Sequence, residues 1–89
     1  MNPLKVLIVE DSEQDAALLI RQLENAGYSP VYKRVDTASE MSSALDAETW
    51  DIVISDHLMP QFSSLAALRL LRSKGLDLPL TDQTQHENI

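Results

Sequence analysis

The stretch that decides the fold is residues 50–60, which read WDIVISDHLMP. The apolar run of Ile52, Val53 and Ile54 lacks the alternation of a half-exposed strand and is rich in β-branched residues, which predicts a strand buried on both faces. Asp56 follows where that strand ends. Because open parallel sheets bind ligands at the carboxyl ends of their strands, we expect Asp56 at the mouth of a site. Taken alone, Asp56 would also suit a turn or a helix cap.

The composition excludes several classes of protein. The chain has 89 residues, the length of one small domain, and its 7 basic and 14 acidic residues give a net charge of −7. This charge argues against direct binding to nucleic acid, because no basic surface is available to neutralise phosphates. Without cysteine there are no disulfides and no thiolate chemistry. No apolar run approaches the roughly 18 residues that cross a membrane, and no signal segment opens the chain, so we expect a soluble cytoplasmic protein without a membrane partner.

Predicted strands alternate with helices along the chain. Residues 5–9, 31–35 and 51–55 have the apolar, β-branched composition of strands. Residues 78–80 resemble the entry to a fourth strand, but residues 81–89 are polar and lack the side chains that a central strand needs. We therefore predict an organised domain over residues 1–80, a polar tail over 81–89 and no fourth strand. The βαβαβα pattern predicts an α/β fold, an open parallel sheet with right-handed crossovers.

The helix boundaries carry recognisable signals. Ser12 is a candidate N-cap for the first helix, and Gly27 is suited to the left-handed conformation that ends it. Thr37 and Glu40 have the spacing of a capping box at the start of the second helix. The third helix is predicted to begin at residues 63–64. Its predicted apolar face consists of Leu65, Leu68 and Leu71.

Acidic residues follow the first and third predicted strands. Glu10 and Asp11 come directly after the first, and Asp56 after the third. In a sheet of order 2-1-3 these strands are neighbours, so the three carboxylates converge and repel one another, and a divalent cation would offset the repulsion. Oxygen ligands without a His or Cys cluster favour Mg²⁺, and we interpret the lone His57 as a loop residue. We expect weak Mg²⁺ binding at Glu10, Asp11 and Asp56.

Other kinds of site lack their motifs. The first strand–helix turn, residues 9–12, reads VEDS and contains no G-x-G-x-x-G, and the chain has no phosphate-binding P-loop motif. A Mg²⁺-dependent phosphatase or hydrolase would need a second acid–base group that we do not find. We therefore do not expect an enzyme.

Taken together, VEDS at residues 9–12, Asp56 at the end of the third strand and MP at residues 59–60 resemble the receiver domain of two-component response regulators. The resemblance covers about residues 4–80. It implies a three-layer, flavodoxin-like open parallel sheet of order 2-1-3. It also implies a signalling module that works with a histidine kinase or a phosphotransfer protein.

The resemblance assigns roles residue by residue. Asp56 would be the phosphoacceptor. Glu10, Asp11 and Asp56 would hold Mg²⁺, with the backbone carbonyl of Leu58 completing the protein ligands. Chemically, a carboxylate nucleophile and a Mg²⁺ ion that offsets the gathering negative charge suit phosphoryl transfer.

The resemblance is incomplete towards the C-terminus. Receiver domains also have a Ser or Thr ending strand four, a Lys ending strand five and an aromatic switch residue on strand five. We expect this chain to be truncated before strand five, which leaves Thr84 as a weak candidate for the first position and no candidate for the others. Phosphotransfer would then be slow or absent, because a preorganised charged group is missing.

The alternative function is a receiver fragment that has lost phospho-switching and acts as a self-associating structural or interaction module. If the fourth strand is missing, the edge of strand three at Ile52, Val53 and Ile54 has no partner. An exposed hydrophobic strand edge is a template for pairing with another chain. We therefore expect a homodimer formed through this edge or by exchange of residues 78–89.

Overall fold

The computed structural model describes residues 2–55, 64–76 and 78–82. These residues form one parallel sheet of order β2-β1-β3-β4, with three helices in the crossovers. The strands are β1 (Asn2–Val9), β2 (Tyr28–Val35), β3 (Ile52–Ser55) and β4 (Leu80–Asp82), and the helices are α1 (Glu13–Asn25), α2 (Ala38–Ala47) and α3 (Ser64–Ser73). The predicted α/β class and the order 2-1-3 are confirmed, and β4 extends that order by one strand.

The prediction that no fourth strand forms is wrong. Leu80–Asp82 pairs in parallel with β3, and the Val53 amide donates a hydrogen bond of 2.9 Å to the Pro79 carbonyl. A short outer strand needs backbone pairing and little apolar surface, and here Leu80 packs against the core. The polar residues after Leu80 therefore did not prevent a strand, and the predicted domain boundary between residues 80 and 81 falls inside β4.

The predicted open edge of β3 is also wrong. The register pairs Val53 with Leu80, Ile54 with Thr81 and Ser55 with Asp82. β3 is therefore an inner strand between β1 and β4. Of the predicted edge at Ile52, Val53 and Ile54, the last two residues are paired with β4 and are not available for pairing with a second copy.

Helices cover both faces of the sheet, which makes three layers. Leu7 and Val9 of β1 belong to the cluster formed with α2 and α3, whereas Val6 and Ile8 belong to the cluster formed with α1. All four are fully buried. Burial on both faces explains the continuous apolar run of β1 and confirms it as a central strand.

Contacts between Lys5, within β1, and the residues just before β3 help to fix the register of the two strands. The Lys5 amide donates to Asp51 Oδ2 and the Asp51 amide donates to the Lys5 carbonyl, each at 2.8 Å. The buried Trp50 donates from Nε1 to the Ala44 carbonyl at 3.0 Å, and the Lys5 ammonium lies 5.2 Å from its ring centroid. This arrangement aligns the two strands so that their carboxyl ends are level, with Val9 opposite Ser55.

The predicted helix caps are confirmed. Ser12 Oγ accepts from the Asp15 amide at 3.3 Å, and Thr37 Oγ1 accepts from the Glu40 amide at 3.1 Å. Gly27, just beyond α1, has a φ of 99°, a conformation that costs other residues a steric penalty. The described part of the chain contains no helix with the length and apolar character to span a bilayer.

The apolar face predicted for α3 is partly wrong. Leu71 is 1% exposed, as predicted for the inner face, but Leu65 is 56% exposed. Ala67, four residues before Leu71 and therefore on the same side of the helix, is fully buried in its place. A pattern search that counts only large apolar residues does not detect a buried alanine.

Candidate functional site

The carboxyl ends of β1 and β3 lie side by side in the sheet. The parallel register pairs Val9 with Ser55. Glu10 and Asp11 follow Val9 in the sequence, and Asp56 follows Ser55. The two acidic positions therefore belong to neighbouring strand ends, where open α/β sheets bind their ligands.

Three of the predicted site residues, Asp56, Leu58 and Thr84, lie outside the described residues. Their assigned roles stay predictions. Glu10 and Asp11 are described, and they occupy the predicted end of the sheet.

The two neighbouring acids have different environments. Glu10 is 1% exposed, whereas Asp11 is exposed. The Glu10 amide donates to the Val35 carbonyl at 2.9 Å, and Glu10 Oε2 accepts from the Ser12 amide at 3.2 Å. A buried carboxylate is costly unless it is hydrogen-bonded, so these contacts help to hold an acidic group inside the strand end.

Arg34 is a member of the site that the sequence analysis missed. Its Nη1 donates to the Glu10 carbonyl at 3.0 Å. The same guanidinium lies 3.8 Å from Asp36 Oδ2 and 3.9 Å from Glu13 Oε2. The signal that could have revealed it is its place in register: β2 pairs Arg34 with Ile8, next to the acidic end of β1.

Asp36 and Glu40 form a second acidic pair beside Arg34. The Asp36 amide donates to Glu40 Oε1 at 3.1 Å, and this hydrogen bond is the main reason that the pKa of Glu40 is lowered. The pKa of Asp36 is raised, chiefly by its side-chain hydrogen bond with Glu40 and further by the Glu40 charge. The charge of Arg34 opposes this rise in the pKa of Asp36.

Ser55 carries a buried polar group that the sequence analysis did not single out. It is fully buried, and its Oγ has no hydrogen-bond partner within the described ranges. A buried hydroxyl without a partner is uncommon in folded proteins, and here it directly precedes Asp56 in the sequence.

The chemistry of the donor set fits Mg²⁺. Glu10 and Asp11 supply hard oxygen atoms at one end of the sheet, and Mg²⁺ sites commonly use one or two carboxylates together with waters and substrate phosphates. Residues 2–55, 64–76 and 78–82 contain no group of three or more His, Cys, Asp and Glu side chains that would hold a metal by itself.

The profile of one protein family, the response regulator receiver domain, matches residues 6–89. The chain therefore belongs to this family. The matched range includes residues 81–89, the predicted polar tail.

The individual relatives agree with this assignment. Response regulator MprA of Mycolicibacterium vanbaalenii is 33% identical over 90 residues, which cover 98% of this chain and 37% of the relative. The uncharacterized transcriptional regulatory protein YkoG of Bacillus subtilis is 34% identical over 87 residues, covering 94% of this chain and 36% of the relative. The chain thus spans 36–37% of the length of these relatives.

Proposed function

We propose that this receiver domain accepts a phosphoryl group at Asp56 from a cytoplasmic histidine kinase or phosphotransfer protein, with Mg²⁺ bound at the acidic end of the sheet. The observation that carries the proposal is the register of β1 and β3, which pairs Val9 with Ser55. This register places the strand end that bears Glu10 and Asp11 beside the strand that leads into Asp56.

The proposed reaction is one in-line displacement. An Asp56 carboxylate oxygen attacks the phosphorus of a phosphohistidine, the P–N bond breaks, and the histidine of the donor leaves. Glu10, Asp11, Asp56 and the Leu58 carbonyl would hold Mg²⁺, which would offset negative charge on the phosphoryl oxygens when bound. In this proposal the buried Glu10 is held in place by the fold, and the exposed Asp11 is accessible to the ion from solvent.

Phosphorylation is tested by incubating the protein with a small acyl phosphate or phosphoramidate and Mg²⁺, followed by intact mass measurement. One phosphoryl adduct is expected on the wild type and none on Asp56→Asn. Asp15→Asn, which removes an exposed carboxylate from the first turn of α1, is the matched control and should still be labelled. Failure to label the wild type, or equal labelling of Asp56→Asn, would refute the proposal.

Metal binding is tested separately, by the change in melting temperature on adding Mg²⁺. A ligand that binds the folded state alone stabilises it by mass action. Asp11→Asn should lose most of the Mg²⁺-dependent shift, because it removes the charge of a proposed ligand. Identical responses of Asp11→Asn and wild type would show that the metal site is elsewhere or absent.

The alternative of a self-associating module without phosphorylation has lost its main argument. That argument was the open edge of β3, and β4 pairs with this edge. The phosphoacceptor proposal is supported, by contrast, by the position of Glu10 and Asp11 at the strand end beside β3.

A further inference from the structure

We infer that Arg34 is a positioning residue that sets the Mg²⁺ affinity of the site by clamping the Glu10 carbonyl. The inference rests on the proposed function, because it concerns the same metal site. β2 is an outer strand that carries no proposed ligand. In this inference it nevertheless helps to hold the proposed ligands at the end of β1.

Both main-chain polar groups of Glu10 are held by consecutive residues of β2. The Glu10 amide donates to the Val35 carbonyl at 2.9 Å, and the Glu10 carbonyl accepts from Arg34 Nη1 at 3.0 Å. The Ser12 amide then donates to Glu10 Oε2, which closes the turn between β1 and α1. The first contact is ordinary sheet pairing, so the second is the one that depends on a side chain and is open to mutation.

The contact of Arg34 with the Glu10 carbonyl is shorter than the other contacts of this guanidinium. Its hydrogen bond to the Glu10 carbonyl has an ordinary length, whereas Asp36 and Glu13 are at 3.8 and 3.9 Å. The Arg34 side chain is 28% exposed, so it is partly shielded from water, while the Glu13 side chain is 86% exposed. Exposed ion pairs at such distances contribute little to stability.

Loss of the hydrogen bond from Arg34 to Glu10 and loss of the Arg34 charge should change the Mg²⁺ affinity in opposite directions. A positive charge near the site repels Mg²⁺, so removal of the charge alone should tighten binding, weakly because surface charges are screened by salt. Loss of the clamp frees the turn that presents Glu10 and Asp11, so it should weaken binding. The sign of the change therefore separates a positioning role from a purely electrostatic one.

The experiment compares Mg²⁺ dissociation constants of the intact protein, measured by titration of the amide NMR signals of residues 10–12, well below the melting temperature. Arg34→Met should weaken Mg²⁺ binding about tenfold, the lower end of the range for loss of a residue that orients metal ligands. Arg34→Lys keeps a charged donor and should recover most of the affinity. Lys33→Met is the matched control, because it removes an exposed positive charge from the adjacent position of β2 and should not weaken binding.

A second measurement tests, in the absence of metal, whether the hydrogen bond from Arg34 to Glu10 supports the turn. In metal-free protein, the Ser12 amide should exchange with solvent faster in Arg34→Met than in wild type or Lys33→Met, because the turn that holds it has lost a support. If Arg34→Met does not fold, Arg34→Gln replaces it in both measurements. Mg²⁺ binding by a folded Arg34 variant that is as tight as in wild type, or tighter, would overturn the inference while leaving the proposed function intact. Absence of binding to wild type, or equal binding by Asp11→Asn, would overturn both.

Discussion

At the scale of single residues, Ser55 is the clearest test of how the end of β3 is built. Its fully buried Oγ lacks a partner in the described part of the chain. An unsatisfied buried polar group costs about 1–3 kcal/mol, so we expect Ser55→Ala to raise the free energy of unfolding by about 1 kcal/mol in metal-free protein. Chemical denaturation measures this change.

The control for Ser55 is Ser29→Ala, which removes an exposed hydroxyl from another strand and should change stability by less than about 0.5 kcal/mol. A loss of stability in Ser55→Ala would contradict the prediction, since it would mean that the hydroxyl is hydrogen-bonded in the folded protein.

Asp36 and Glu40 give a prediction about pH. The raised pKa of Asp36 contributes stability that is present below the pKa of the unfolded chain and is lost as the pH rises through the folded value. The lowered pKa of Glu40 acts in the opposite sense, with stability present above its unfolded value and lost as the pH falls through the folded value. Because the two contributions oppose each other, we expect a small net effect of the pair on acid stability.

The coupling itself is measurable by NMR titration of the side-chain carboxyl groups. In Glu40→Gln, the pKa of Asp36 should fall towards its usual value, because the carboxyl group that raises it is gone. Ser39→Ala, an exposed neighbour in the first turn of α2, should leave the pKa of Asp36 raised. An unchanged Asp36 titration in Glu40→Gln would show that another group causes the shift.

At the scale of the element, α3 contains one leucine that packs in the core and one that continues the apolar pattern but is exposed. Leu71 is 1% exposed and packs with the sheet, whereas Leu65 is 56% exposed. We expect Leu71→Ala to lower the free energy of unfolding by about 2–5 kcal/mol, because it leaves a cavity in the core. Leu65→Ala should change it by less than about 0.5 kcal/mol, as is usual at the surface. Comparable losses in the two variants, measured by urea denaturation, would show that the helix is rotated from the position described.

The helix ends and β4 differ in how far they could be predicted from the sequence. The caps at Ser12 and Thr37 and the reversal at Gly27 were predictable, because each depends on a few neighbouring residues. β4 was not, because a three-residue strand forms only where β3 offers a row of backbone partners, which the polar sequence after Leu80 does not reveal.

At the scale of the whole molecule, the homodimer stays a prediction, but we now expect it to form through β2 and not through β3. β2 is an outer strand of the sheet, and it carries three exposed large hydrophobic residues: Tyr28, Val31 and Tyr32, which are 38%, 59% and 47% exposed. Exposed apolar strand edges favour pairing with another chain. We expect a dimer at micromolar concentration, and Val31→Lys should dissociate it without loss of the fold.

Sedimentation measures the association. Leu18→Lys, at an equally exposed position on α1, is the control and should leave the dimer intact. Val53→Lys should unfold the protein, because Val53 is fully buried in a strand that lies between two others. A single species near the chain mass of 9.9 kDa in the wild type would rule out the dimer.

By itself, the sequence determined the alternation of strands and helices, most of the helix boundaries and the placement of Glu10 and Asp11 after the first strand. These features depend on periodicity and on residues a few positions apart. Only the tertiary structure decided that Arg34 clamps Glu10, that β4 covers the edge of β3 and that Ala67 rather than Leu65 faces the core. Each of these depends on the register or the orientation of segments distant in the chain, and packing of the whole sheet sets both.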